Sequence, residues 1–179
     1  MNLQLSEFDF IQDDFEKLHD IFNKKINLRK YDKQNYTQLT KLFTKKSIMN
    51  EDEIFIRNLA FEYLSKIGLK QNKNYFMIEY WRHRLCFEKV SHTFGKHNDS
   101  GGYMDTDVNT CIFYLRKDKT FNGGNLDIYG LYYCDKKTLT VQTQNKIFVF
   151  DGDIYHEVTD FEGFGIRDCI VVQFEKLKN

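Results

Sequence analysis

A chain of 179 residues is long enough for one domain with a sizeable core, burying roughly two-thirds of the surface its unfolded form exposes. Lys plus Arg equal Asp plus Glu at 26 each, with no long run of one sign, so the charge gives no general support to a nucleic-acid partner. No stretch of about 18 apolar residues occurs, and Met1 to Phe10 is polar and acidic; neither a membrane span nor a secretory signal is expected, and the expected location is intracellular, cytoplasmic.

Proline is absent, so turns must rely on Gly, Asn and Asp, as at Asn122-Gly123 and Asp151-Gly152. Cys86, Cys111, Cys134 and Cys169 are widely spaced with no CxxC pair, which suits reduced thiols better than a structural zinc site or a disulfide framework.

The first part of the chain, about 1–70, reads as helical. Phe8 to Phe22 and roughly Asp32 to Lys45 carry spaced apolar residues among charges and predict one or two helices. Asn50 is a fitting N-cap for a further helix: Glu51, Asp52 and Glu53 suit its positive dipole end, and Ile56, Leu59, Ala60, Tyr63, Leu64 and Ile67 recur at helical spacing before Gly68 stops it.

After Lys70 the texture changes to short β-branched and aromatic runs divided by Gly, Asn, Asp and Lys. Strands are predicted at Tyr75–Trp81, Arg84–Val90, Val108–Leu115, Asn125–Tyr129, Thr138–Gln142, Lys146–Phe150, His156–Thr159 and Ile166–Phe174. Eight short strands is the count of a double-sheet jelly roll. The expected architecture is one α+β domain over 1–179, with the helices buttressing a jelly-roll core at about 74–175. Glu79 to Arg82, around Trp81, reads as cover for a sheet edge rather than as a substrate mouth.

His97-Asn98-Asp99 puts an imidazole and a carboxylate two residues apart, which on an extended segment aims both to one face. A second strand-borne imidazole, His156, completes two His and one carboxylate, the donor set of non-haem iron(II) sites that keep open positions. Arg167 lies in an apolar strand, where a guanidinium needs an anionic partner and its fork matches a carboxylate bidentately.

The stretch from Arg84 to Phe174 resembles the catalytic jelly roll, or double-stranded β-helix, of the prolyl and lysyl hydroxylase branch of the iron(II)- and 2-oxoglutarate-dependent oxygenases. The resemblance rests on the order His97-x-Asp99, Thr110–Leu115, Asn122-Gly123-Gly124-Asn125-Leu126, Phe148-Val149-Phe150, His156-Glu157-Val158 and Arg167. It implies iron held by His97, Asp99 and His156, and 2-oxoglutarate as co-substrate with its far carboxylate on Arg167 and Tyr114; ascorbate is an allowed accessory. It further implies hydroxylation of a C–H bond, with a prolyl or lysyl side chain of a protein as leading substrate class and a free amino acid or other small molecule as alternative. One departure is Phe87, which stands where prolyl hydroxylases often carry a further tyrosine and offers no hydroxyl.

Two rivals remain in view. Nucleic-acid demethylases of the superfamily carry Asn and Arg two and eight residues after the co-substrate arginine; Cys169 and Glu175 stand there. A non-catalytic, cupin-like binding jelly roll would have no need of His97, Asp99, His156 and Arg167 together. Gly123 and Gly124 are expected to act structurally, in the turn before the strand at Asn125. His92 reads as a loop or substrate-facing residue, and His83 has no evident partner.

Overall fold

In the computed structural model, which describes residues 3–27, 36–86 and 95–177, the helix expected after Asn50 is α2, Glu51–Lys66. Its start is a closed capping box: the Asn50 side chain accepts from the Glu53 amide at 2.9 Å, and Glu53 accepts from the Asn50 amide at 3.0 Å. Asn50→Ala should therefore lower the unfolding free energy by about 1 kcal/mol, measurable by urea denaturation. Gly68 follows at φ 81°, in the left-handed region a stopped helix uses.

Upstream, the chain forms a strand before its helix: β1, Leu5–Asp9, precedes α1, Gln12–Asn27. Leu18, Ile21, Phe22 and Ile26 recur along α1 on one face and are buried. The helix expected at Asp32 to Lys45 is, in its described part, a strand, β2, Tyr36–Phe43. Leu39, Leu42 and Phe43 have helical spacing, but the segment pairs residue for residue with the strand that follows α2, and Phe43 stacks on Phe76 at 4.6 Å. The N-terminal part thus supplies two helices and two strands rather than helices alone.

That following strand is β3, Gln71–Cys86, a single span where two strands were expected; Phe87 to Val90, and His92 with them, lie outside the described residues. Then come β4 (Val108–Lys117), β5 (Phe121–Gly123), β6 (Leu126–Ile128), β7 (Leu139–Val141), β8 (Lys146–Asp151), β9 (His156–Val158) and β10 (Phe161–Lys176).

A seven-stranded sheet runs in the order β1-β8-β4-β10-β3-β2, with β5 joined to β10, and a second sheet in the order β7-β6-β9; the pairings are antiparallel. Alternation along the strands splits the large sheet's two faces. Phe76, Ile78 and Tyr80 of β3, Phe113 of β4 and Ile170 and Val172 of β10 pack against α1 and α2. Trp81, Ile112, Tyr114 and Cys169 point the other way, toward Leu126, Ile128 and Val141 of the small sheet. Burying each large apolar side chain contributes about 1.5–3 kcal/mol, so both layers hold the large sheet firmly. Between the sheets a cavity of about 450 Å³ remains.

Candidate active site

The His97–Asp99 segment is positioned by backbone hydrogen bonds. His97 and His156 exchange amide-to-carbonyl bonds at 2.9 and 2.7 Å, and the Asp99 amide donates to Gly152 at 2.8 Å. These bonds tie the segment to β9 and to the turn before it, so residues far apart in sequence meet at one end of the cavity.

Asp99 Oδ1 lies 3.8 Å from His97 Nε2 and 3.6 Å from His156 Nε2, and the three donor atoms fall within 4.8 Å of one another, a spacing one ion can bridge. Each imidazole has its Nδ1 against a carbonyl oxygen, Gly95 at 2.7 Å for His97 and Ile154 at 2.9 Å for His156. A carbonyl only accepts, so Nδ1 must carry the proton and Nε2 presents its lone pair toward Asp99. Burial holds His156 below the usual histidine value, favouring the neutral ring that a metal needs, although the Asp99 charge pulls the other way. Thr110 of β4 donates to Asp99 Oδ2 at 2.6 Å, which orients the carboxylate with Oδ1 toward the histidines.

Arg167 enters the cavity from β10, three alternate positions along the same face from Gln173, which pairs with Thr110. It is 2% exposed, and among the described residues no carboxylate pairs with it. Two acids close to it in chain or fold are engaged elsewhere: Asp168 holds Arg82 in a fork of two 2.8 Å bonds on the opposite face, and Glu157 accepts from Tyr129. The polar groups against Arg167 offer no negative charge, and Lys117, near enough to act on it, is another cation. The Arg167 Nε lies 3.4 Å from the Thr143 hydroxyl, which itself donates to the Gly124 carbonyl; Nη1 lies 3.5 Å from His83; and Cys169 nearby stays a thiol because burial pushes it up to about 11.

Tyr114 shares its strand face with Ile112 and Thr110, as expected, and its ring lies under the guanidinium at 5.3 Å. Its hydroxyl is buried with no hydrogen-bond partner among the described residues, and burial keeps the phenol protonated. A buried cation without its anion and a buried donor without its acceptor, side by side, are together shaped for one carboxylate.

The turn glycines do more than shape a loop. Gly123 and Gly124 have φ of 72° and 64°, as expected of that turn. A Cβ on Gly124 would also come within 3.0 Å of the Arg167 side chain, so this backbone makes room for the guanidinium.

Trp81 and Glu79 correct a sequence expectation: both line the cavity wall instead of covering an edge, because β2 occupies that edge. His83 lines it too, stacked parallel to Trp81 at 5.9 Å. Thr143 and Gln173 were not distinguished by sequence, and Thr110 only as the start of the Thr110–Leu115 run; their places depend on the register between distant strands.

No family model and no curated protein matches the chain by sequence. By structure it is similar to IDO from Bacillus thuringiensis, with a TM-score of 0.70 at 12% identity over 98% of this chain and 94% of that one. A prolyl-4-hydroxylase from Pseudomonas putida gives 0.64 at 13% identity, covering 99% and 95% of the two chains. An oxidoreductase of the 2OG-Fe(II) oxygenase family from Burkholderia pseudomallei gives 0.65 at 13% identity, covering 96% and 84%. At these identities the likeness is one of fold, and the fold of this chain is that of the iron(II)- and 2-oxoglutarate-dependent oxygenases, prolyl hydroxylases among them.

Proposed function

We propose that the protein is an iron(II)- and 2-oxoglutarate-dependent dioxygenase that hydroxylates a C–H bond, built as one domain on a double-stranded β-helix. Iron is held by His97, Asp99 and His156, and the distal carboxylate of 2-oxoglutarate by Arg167 and Tyr114. The observation that carries this reading is the buried guanidinium with no acid among the described residues, beside a buried hydroxyl with no acceptor among them, in the cavity that also contains the His-Asp-His group. Leaving such a charge uncompensated is costly, so a dicarboxylate spanning both ends explains the arrangement.

Two neutral imidazoles and one carboxylate suit iron(II) and leave the rest of its coordination sphere for exogenous oxygen ligands. Iron(II) held by His97, Asp99 and His156 would activate dioxygen, the oxidant, one oxygen atom going to C–H to give C–OH and the other to 2-oxoglutarate to give succinate and carbon dioxide. The chain's own work is positional. Thr110 fixes the Asp99 carboxylate, the Gly95 and Ile154 carbonyls fix both rings, Thr143 and His83 aim Arg167, and Ile112, Leu126 and Val171 keep the cavity wall apolar.

A protein side chain, prolyl or lysyl, remains the leading substrate class, supported by the prolyl hydroxylases among structurally similar proteins; a free amino acid is the alternative. The test of class needs no substrate. Protein given iron(II), 2-oxoglutarate and ascorbate should form succinate slowly, stop when iron is chelated, and resume when iron(II) is restored. Failure both to bind iron and to form succinate would leave a cupin-like binding domain as the better account.

A further inference from the structure

Glu79 has no part in holding iron or 2-oxoglutarate. It projects from β3 into the cavity between Met77 and Trp81. Its Oε1 accepts from Gln38 at 2.9 Å and from Thr40 at 3.0 Å, both on β2, and its Oε2 accepts from the Trp81 indole at 3.3 Å. All three donors are neutral, and among the described residues no Lys, Arg or His pairs with this carboxylate.

Counting charge in the loaded site makes the consequence plain. Iron(II) and Arg167 contribute three positive charges, Asp99 and 2-oxoglutarate contribute three negative ones, and His97 and His156 would ligate the metal as neutral rings. Among the described residues that line the cavity, Glu79 then remains as a carboxylate with no ion-pair partner. Burial raises the Glu79 carboxyl above its usual value and the nearby Asp99 charge raises it further, so a cation beside it would favour the ionised form. A half-buried carboxylate placed among neutral donors is shaped to receive a cation from outside.

We infer that Glu79 is the specificity-determining residue of this site and that the substrate presents a positively charged ammonium group to it, as a free amino acid or a lysyl side chain does. This deepens the oxygenase reading and rests on it. A prolyl residue inside a peptide carries no such charge, so the lysyl and free amino acid classes are favoured over it. β2 has a direct role here: Gln38 and Thr40 fix Oε1 while Trp81 holds Oε2, which sets the carboxylate in the cavity wall.

The test uses the iron-loaded protein with 2-oxoglutarate and two pairs of probes. One pair is a mixture of the protein amino acids and the same mixture N-acetylated. The other is an N-acetylated peptide library with a central lysine and the same library with Nε-acetyl-lysine. Product is read as a mass gain of one oxygen, and binding as a change in Trp81 emission under argon with manganese(II) in place of iron; Trp81 is the chain's single tryptophan and donates to Glu79.

One unacetylated probe should be oxidised and shift Trp81 emission, with at least a tenfold preference over its acetylated counterpart. Which pair responds identifies the source of the ammonium. Glu79→Gln, which keeps an accepting oxygen but no charge, should bring that preference close to one, while a pure role in tying β2 to β3 would lower stability and leave the preference intact. Equal use of acetylated probes, an undiminished preference in Glu79→Gln, or no response to any amine while succinate still forms would each overturn the inference. Absence of succinate and of iron binding would instead remove the oxygenase reading, and the emission titration alone would then decide whether Glu79 binds ammonium. Should Glu79→Gln fail to fold, the acetylation pairs in the unaltered protein still decide the matter.

Discussion

Arg167→Met should weaken 2-oxoglutarate binding by about 30- to 4,000-fold while leaving iron affinity nearly unchanged. The range follows from losing one member of a buried charged hydrogen-bond pair, about 2–5 kcal/mol, at 1.4 kcal/mol for each factor of ten. Methionine fills much of the same space without the charge, so the packing of Tyr114 and Phe161 around the site is kept. The ligand-free variant should be as stable as the parent or more so, since a buried guanidinium lacking an acid is a penalty that methionine removes. Calorimetric titration with 2-oxoglutarate and thermal unfolding of the metal-free protein read the two quantities. A variant that unfolds several kcal/mol more easily yet binds co-substrate normally would show that Arg167 serves the scaffold.

The second large effect is expected at the other end of the cavity. His156→Ala should weaken iron(II) binding by more than about a hundred-fold, beyond what changes outside the ligand shell usually cost, and abolish succinate formation. The backbone pair between positions 97 and 156 uses main-chain atoms, so the loop carrying Asp99 keeps its anchor and the variant remains folded. Thr110→Val makes the instructive contrast: it removes only the hydroxyl that orients Asp99 and should cost iron affinity about 10- to 100-fold. Equal losses in the two variants would mean that His156 does not itself reach the metal.

How much of this was readable beforehand depended on sequence distance. The helix α2 was legible because its signals, Asn50, three acids and Gly68, are local. The His97, Asp99, His156, Arg167 and Tyr114 set was legible because each residue type is chemically unusual in its surroundings and their order resembles a known pattern. The strand β2 was not, since Leu39, Leu42 and Phe43 imitate a helical stripe and only the open edge of β3 decides the matter. Glu79 passed for edge cover, and the roles of His83, Thr110 and Thr143 were hidden, for a related reason: such residues in a strand have many ordinary roles, and what makes these four matter is which side chains stand opposite them across strands tens of residues away.

The division of the large sheet into two faces carries a consequence for how this protein can vary. Arg82 and Asp168 point toward α1, and their immediate neighbours Trp81, His83, Arg167 and Cys169 point into the cavity, so on β3 and β10 chemistry and scaffold occupy odd and even positions in strict turn. Apolar replacements of similar volume on the helix side that respect this two-beat rhythm should cost less than about 1.5 kcal/mol each and leave the cavity untouched. Inserting or deleting one residue between Arg167 and Gln173, by contrast, would turn the scaffold's apolar side chains inward and expel the guanidinium, without altering a single functional residue.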